Sequence, residues 1–435
     1  MTPQTTPLPH IPPAAEPQPL LVGIDWADRQ HDVAVRGSDG RVECFRVEAD
    51  PDALDGLLRQ LQARADGRPI AVCLEKSRTS LVYHLMLQEN VLLDPVDPKQ
   101  FARYRESFSS SGAKDDPTDA ALLVRLLAER RDQLRRFEPD DALTRLIGQL
   151  SRTRRAVVDD RTRLTQQLLS TLKTYFPLVL ALAGGRSASP LLREIVRRWP
   201  DPRQFRRTHP QTLRKLLRRH AVSAEHIEQH LNTIRAQPLV SRDRAVVEPA
   251  AIRAKALIAQ IAALDKAVAR LEEQIQDALR QHPDAPLFTA LPGAGQALAP
   301  RLLAAFGSQR DRYQNADELA ALSGIAPVTR QSGKTRHVSR RRGCPKYLRQ
   351  TFHEFADAAR KWCPWSKAYY RLLRARSMAH HAALRKLASR WIRILYQVWK
   401  TRTPYDPQRY LHSLRTKNHP LLQYLEESSP SLETT

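Results

Sequence analysis

The chain has 435 residues, with 70 Lys and Arg against 46 Asp and Glu and a formal net charge of +24. A chain this basic suits a polyanion, with nucleic acid as the default partner. No stretch approaches the ~20 apolar residues of a membrane span, and Cys44, Cys73, Cys344 and Cys363 form no CxxC pair of the kind used by zinc sites and disulfide frameworks. The Pro-rich N-terminus lacks the basic start and apolar core of a signal peptide, so the expectation is an intracellular protein in a reducing compartment.

Residues 1–19 read as a disordered Pro-rich tail. Leu20 to Trp26 is an apolar run closed by Asp25, the pattern of a buried strand. Two further strands, His31 to Arg36 and Val42 to Val47, flank the turn at Gly37 to Gly40. Asp50-Pro51 opens a helix with leucines at 54, 57, 58 and 61. Pro69 to Glu75 is another apolar strand ending in an acid. A helix near Leu81 to Glu89, the strand from Val91 and a basic loop follow. Hairpin strands succeeded by alternating units predict an α/β domain, a mixed sheet with helices packed on it.

Strand signals stop near Asp140. Leu143, Ile147, Leu150, Val157, Leu164 and Leu168 follow a heptad, but Arg154 and Arg161 occupy seam positions, which suits either a wet seam or a face for phosphate. Pro190, Pro200, Pro202 and Pro210 punctuate a small all-α lobe over 186–245. Leu257, Ile261, Leu264, Val268, Leu271, Ile275 and Ala278 then step as a clean heptad, predicting a coiled coil within the chain or between chains. Leu291-Pro-Gly-Ala-Gly295 opens the last domain, with helical patterns at 298–306 and 316–323, a basic loop to Gly343 and helices to Lys400. The stretch 413–435 reads as a polar tail.

Four acids carry the first chemical pattern. Asp25 and Glu75 close predicted strands. Asp116 and Asp119 stand three apart at a helix start, so they share a face. Asp116 before Pro117 is also an ordinary N-cap, with Asp119 favoured by the helix dipole. Four such carboxylates at one sheet edge would repel one another without a cation, and hard oxygen donors suit Mg²⁺ or Mn²⁺ in phosphoryl transfer. Asp28, Asp32 and Asp115 are alternatives, because spacing alone does not fix the register. The second pattern runs from Arg330 to Arg349, with eight Lys or Arg and no acid, around the Ser332-Gly333 pair. The bland reading is a turn in a phosphate-binding loop; the sharper one is a serine that attacks a DNA phosphate. Trp362, Trp365, Tyr369, Tyr370, Trp391 and Tyr396 lie among arginines, but helical spacing assigns most of such residues to a core.

Gly23-Ile-Asp-Trp, Leu74-Glu-Lys and Lys114-Asp-Asp-Pro-Thr-Asp-Ala resemble the DEDD signature of the RuvC-like transposases of the IS110 insertion-sequence family. The family's usual Lys-Thr-Asp or Lys-Ser-Asp is here Lys-Asp-Asp, which leaves Asp116 as first choice. Gly324-Ile-Ala-Pro, Ser332-Gly and the later Gly343-x-x-x-x-Leu-Arg resemble its C-terminal domain, and Leu291 to Ala299 resembles that domain's helix-hairpin-helix element. The resemblance implies an α/β RNase H-like (RuvC-like) catalytic domain over 20–135, a helical coiled-coil linker with its small lobe over 136–282, and a mainly α C-terminal domain over 283–412. It implies metal binding by Asp25, Glu75, Asp116 and Asp119 and a nucleophilic Ser332. Gly293, Gly295, Arg330, Lys334, Arg336, Arg340, Arg341 and Arg342 are expected on nucleic acid.

Expected partners are donor and target DNA, a non-coding bridge RNA that pairs with both, and further copies in a homodimer or homotetramer with composite sites. The expected setting is the bacterial cytoplasm, at the nucleoid when acting. Two other readings share the motifs in part: a site-specific invertase of the pilin-inverting type, and a RuvC-like junction endonuclease to which Ser332 would be dispensable.

Overall fold

Residues 18–37, 39–75, 80–108, 116–184, 189–333 and 335–426 are described by a computed structural model. Residues 1–17 of the expected 1–19 tail, Asp115 and Lys334 lie outside the described residues, as does the side chain of Asp116. The chain divides into two units, Met1–Pro139 and Asp140–Thr435. Among the described residues, no helix is long and apolar enough to cross a membrane.

In the first unit, β1 (Leu20–Asp25), β2 (Gln30–Arg36), β3 (Val42–Glu48), β4 (Ile70–Glu75) and β5 (Val91–Val96) form one sheet in the order β3-β2-β1-β4-β5. The first three strands are antiparallel neighbours, while β4 runs parallel to both β1 and β5. This is the mixed sheet that the alternating pattern predicts. Successive side chains leave opposite faces. Val22, Ile24, Val72 and Leu74 pack with the leucines of α1 (Pro51–Ala65) and with Leu81 and Leu85 of α2 (Ser80–Leu85). On the other face, Ala71 and Cys73 meet Phe101 and Tyr104 of α3 (Pro98–Glu106) and Leu123, Leu126 and Leu127 of α4 (Asp116–Arg130).

Helix α3 stands where the sequence suggested only a basic loop. Asp97 caps it by accepting from Lys99 N, Pro98 begins it, and two buried aromatics three residues apart supply its face. Arginines had masked that stripe.

Gly23 decides how α4 meets the sheet. A Cβ there would stand 2.2 Å from Ala120 O and 2.9 Å from Leu123 Cβ. One row of paired residues, Cys44, Ala34, Gly23, Cys73 and Asp94, crosses all five strands. Helix α4 follows it: Pro117 O lies 4.0 Å from Cys44 Sγ, Ala120 covers Gly23, and Arg131, just beyond the helix, pairs with Asp94 at 3.3 Å. The helix therefore runs across the strands, flush against the backbone of β1.

The second unit is helical apart from one hairpin. Helix α5 (Ala142–Tyr175) runs out to a lobe of α6 (Pro177–Leu182), α7 (Pro190–Arg198), α8 (Pro202–Arg207), α9 (Pro210–Arg219) and α10 (Ala224–Ala236), and α11 (Arg244–Gln281) returns. Four lobe helices begin on proline, whose fixed φ suits a first turn. Thr144 meets His282, Arg154 meets Glu272 and Arg161 meets Asp265, so numbers rise on α5 as they fall on α11: an antiparallel pair. The heptad seam closes within the chain. Arg154 Nε donates to Glu272 at 2.9 Å and Arg161 Nη1 to Asp265 at 3.0 Å, so both seam arginines meet carboxylates of α11 across the pair.

The remaining helices are α12 (Ala285–Thr289), α13 (Gly295–Phe306), α14 (Ala316–Leu322), α15 (Lys346–Trp362), α16 (Pro364–Ala375), α17 (His380–Thr401), α18 (Pro407–Thr416) and α19 (Leu421–Glu426). Trp365 and Trp391 are buried together, and Trp391 Nε1 donates to Ser366 Oγ at 3.0 Å, so the core reading of these aromatics holds. Trp362 is the exception, 73% exposed. The stretch 413–426, expected as polar tail, is largely helical: Leu421 is fully buried in the same core, with Leu422, Tyr424 and Leu425 against it.

Two predictions follow from packing. Gly23→Ala should lower stability by about 1–3 kcal/mol or more, read by urea denaturation, because α4 must lift off β1. The second concerns His282, whose Nδ1 accepts from Asp284 N at 3.0 Å; its Nε2–H therefore donates to Thr144 Oγ1, which donates to Asp141. Burial holds the imidazole below its ordinary value, against the opposing pull of Asp141 and Asp284. The folded form thus takes up a proton less readily than the unfolded chain, so His282 should cost stability as pH falls through its unfolded value of about 6.5. His282→Gln should flatten that slope between pH 7 and 5.

Candidate active site

Beyond the row that carries α4 lies a second row, two residues further along the strands. Asp25 of β1 pairs with Asp32 of β2, which pairs with Arg46 of β3. On the other side, Ile24 pairs with Leu74, so Asp25 and Glu75 follow next to each other at the C-terminal ends of parallel strands. Glu75 in turn pairs with Val96. Residues two apart share a face. Asp32, Asp25 and Glu75 consequently lie on the side of the sheet that α4 covers. Like charges placed directly opposite destabilise a sheet, and Arg46 Nε offsets part of that by donating to Asp32 Oδ1 at 3.0 Å.

Asp119 comes from the first turn of α4, one residue before the Ala120 that rests on Gly23. It is 2% exposed. Arg105 Nη1 of α3 donates to its Oδ2 at 2.6 Å, while its Oδ1 is buried without a hydrogen-bond partner among the described residues. Buried polar atoms are seldom left so. Asp116 starts the same helix three residues earlier. Asp28 lies exposed in the bend after β1.

Asp25, Glu75 and Asp119 thus belong to one side of one sheet edge. Among the described residues, no group of three or more His, Cys, Asp or Glu side chains stands close enough to hold a metal ion. The donor chemistry still fits a hard divalent cation: all four acids offer carboxylate oxygens, and Asp119 keeps one of its own unspent. One residue in the set escaped the sequence. Nothing in Arg103-Tyr-Arg105 marks Arg105 as the partner of an acid fourteen positions on.

Deeper along the strands the same face carries different chemistry. Burial pushes the Asp94 carboxyl up, against the lowering effect of Arg131. Burial, and then Asp94, pushes the Cys73 thiol up, which leaves it a packing residue.

Ser332 belongs to the second unit. It ends β6 (Val328–Ser332), which pairs antiparallel with β7 (Thr335–Ser339) in the stretch expected to be a loop. Gly333 follows with φ +55, the left-handed conformation that two-residue hairpin loops require. Directly opposed residues share a face, so Ser332 and Thr335 lie beside Arg330 and His337, with Gln331 and Arg336 on the reverse. Most of both strands is exposed, Ser332 included. Alternation gave no signal because neither face meets a core.

Charge around the hairpin is uncompensated. Among the described residues, Arg330, Arg336, Arg340 and Arg342 are exposed and form no salt bridge. Burial, followed by repulsion from Arg340 and Arg349, holds the Arg385 guanidinium below its ordinary value. Arg341 is half-buried. Gly324 has φ +68, and a Cβ on it would stand 2.3 Å from Cys344 Sγ, so this glycine seats the turn after β7. The two glycines of the helix-hairpin-helix element differ. Gly293 (φ +80) presses on the backbone of α15, 2.8 Å from Ala358 C for a built Cβ, whereas Gly295 (φ +52) faces open space at the start of α13.

Residues 22–177 match a family model for a transposase, the DEDD transposase of IS110, and residues 285–371 match one described as Transposase IS116/IS110/IS902 family. A protein of Streptomyces coelicolor assigned as the mini-circle transposase for IS117 is 31% identical over 401 residues, 90% of this chain and 96% of its own. The uncharacterized 42 kDa protein of insertion element IS900 from Mycobacterium paratuberculosis is 25% identical, over 90% of this chain and 98% of its own. The 44.8 kDa protein of insertion element IS116 from Streptomyces clavuligerus is 26% identical over 89% and 96% respectively.

The unpaired arginines give a direct measurement. Each phosphate contact contributes about 0.9 to the salt slope of duplex binding. Replacing Arg330 and Arg336 together by Ala should lower the slope of log affinity against log salt by about 2. The paired Arg154 and Arg161 should leave it unchanged.

Proposed function

The chain belongs to the IS110 family of insertion-sequence transposases, and we propose that it cuts and rejoins DNA with two sets of groups, the acids of its first unit and the serine of its second. The observation that carries the acid half is the close approach at Gly23, which brings the first turn of α4 to the sheet edge where Asp25 and Glu75 end. The strand order, three antiparallel strands continued by two parallel ones, supports an RNase H-like reading of this unit.

Asp25, Glu75, Asp116 and Asp119 would hold magnesium or manganese. A divalent ion so held supplies Lewis-acid polarisation of a phosphoryl oxygen and neutralises charge in the transition state. In the second half, Ser332 Oγ attacks phosphorus and one bond from phosphorus to a deoxyribose oxygen breaks. The serine proton is released, and the departing oxygen takes one up. The phosphoserine ester keeps the strand covalently attached and splits the exchange into two steps. Arg330, on the face of the hairpin that carries Ser332, stabilises with Lys334 the negative charge that develops, while Arg336 on the reverse face holds the DNA backbone. Arg340, Arg341 and Arg342, with the backbone N–H groups at Gly293 and Gly295, position the phosphodiester backbone.

The reading includes a composite site, in which the carboxylates of one protomer meet the serine of another within a homodimer or homotetramer. A bridge RNA pairing with donor and target DNA would supply the sequence choice that exposed arginines cannot.

The test is a denaturing gel of full-length protein incubated with RNA from its own element, an element-end DNA and Mg²⁺. A covalent protein–DNA adduct is expected, and Ser332→Ala should abolish it. Asp119→Asn should lower strand cleavage on the order of 100-fold or more. An adduct that survives Ser332→Ala removes the serine from its role. Cleavage without any adduct in the wild type reassigns the chemistry to hydrolysis, as in a junction endonuclease.

A further inference from the structure

Arg105 is unexplained by the reaction as set out above. It stands in the last turn of α3, a helix fixed to the sheet by buried Phe101 and Tyr104 and to α4 by the hydrogen bond from Tyr104 Oη to Glu129 Oε2 at 2.8 Å. From that anchored position it reaches the Asp119 carboxylate through a single nitrogen, Nη1, at 2.6 Å to Oδ2. Arginine and carboxylate commonly pair through both oxygens at once. Here the second oxygen, Oδ1, is buried and unpartnered among the described residues. An ion pair that served stability alone would have no reason to leave a buried acceptor empty.

We propose that Arg105 is a positioning residue: it clamps Oδ2 so that Asp119 keeps one rotamer and presents Oδ1 to the divalent cation. This rests on the metal-binding reading of the acids given above. Carboxylates that ligate metals are typically themselves held by hydrogen bonds from the next layer of residues, and loss of such a partner weakens metal binding about 10–100-fold. The chemistry of the arrangement accounts for both oxygens of Asp119, one for the guanidinium and one for the cation. It also assigns a role to the packing of α3 on α4, since the reach of Arg105 depends on it.

The experiment is titration of the full-length protein with Mn²⁺, without DNA, followed by the electron paramagnetic resonance of the free ion. Arg105→Gln should raise the Kd for Mn²⁺ about 10–100-fold, and Arg105→Lys should recover part of the loss. Thermal melts without metal check that each variant is folded, and Arg105→Met replaces the Gln variant if that one is not. A purely structural Arg105 would lower the melting temperature and leave the Kd alone. A Kd that is unchanged or tighter in a folded variant overturns the proposal while the metal site stands. Wild-type protein that binds no Mn²⁺, or binding that survives Asp119→Asn, overturns the metal reading of Asp119 and this proposal with it.

Discussion

The contact between a helix and a strand that has no side chain to offer governs the first unit. At Gly23 the backbone of β1 meets Ala120 closely enough that even a methyl group would collide. Several consequences hang on that one missing Cβ. It lets α4 lie flush along the row from Cys44 to Asp94, with Ala120, Leu123 and Val124 closing on the notch it leaves. It also sets how far Asp119 stands from the strand ends. Two residues further along β1 is Asp25, and one residue back along α4 is Asp119. The spacing of the acids is therefore a by-product of packing, and the apolar leucines of α4 hold it in place.

The second unit uses charge in two opposite ways. Along α5, Arg154, Arg155, Arg161 and Arg163 all have carboxylate partners. Partly exposed pairs of this kind add little to stability, but they favour one alignment of the helices over its neighbours. Around the hairpin of β6 and β7 the arginines have no acids nearby. Mutual repulsion there is a standing cost that an anion relieves. Part of the net charge of +24 is thus set against acids along the stalk, and part stands unpaired around the hairpin.

Much of this was legible in sequence, and the reasons for the gaps are physical. Apolar runs closed by Asp25 and Glu75 announced two strands because burial on both faces leaves no room for polar residues. Their adjacency was not announced, since parallel pairing of β1 with β4 joins segments separated by a whole helix. The partners of Arg154 and Arg161 lie 118 and 104 residues away, beyond any local pattern. The hairpin carrying Ser332 was missed because alternation reports a buried face, and this element has none. Helix α19 was missed because its six residues are too short to show a helical period, yet Leu421 is wholly enclosed. The roles assigned to the four acids and Ser332 remain readings of chemistry and resemblance, to which the fold adds the neighbourhood of three acids and the exposure of the serine.

The antiparallel helices also set a rule for growth and loss. Helix α5 has 34 residues and α11 has 38, and at a rise of about 1.5 Å per residue each spans roughly 50 Å. One end is welded to the lobe through Leu168, Leu172 and Ile261, and the other to the C-terminal core through Ile147 and Ala278. Deleting one residue from either helix would swing everything beyond it by about 100° and misalign Arg161 with Asp265. Length can change without such damage only in sevens, and only when both arms change together. The pair is in effect a ruler with locked graduations, and evolution or an engineer can reset the distance between lobe and core only in matched strides.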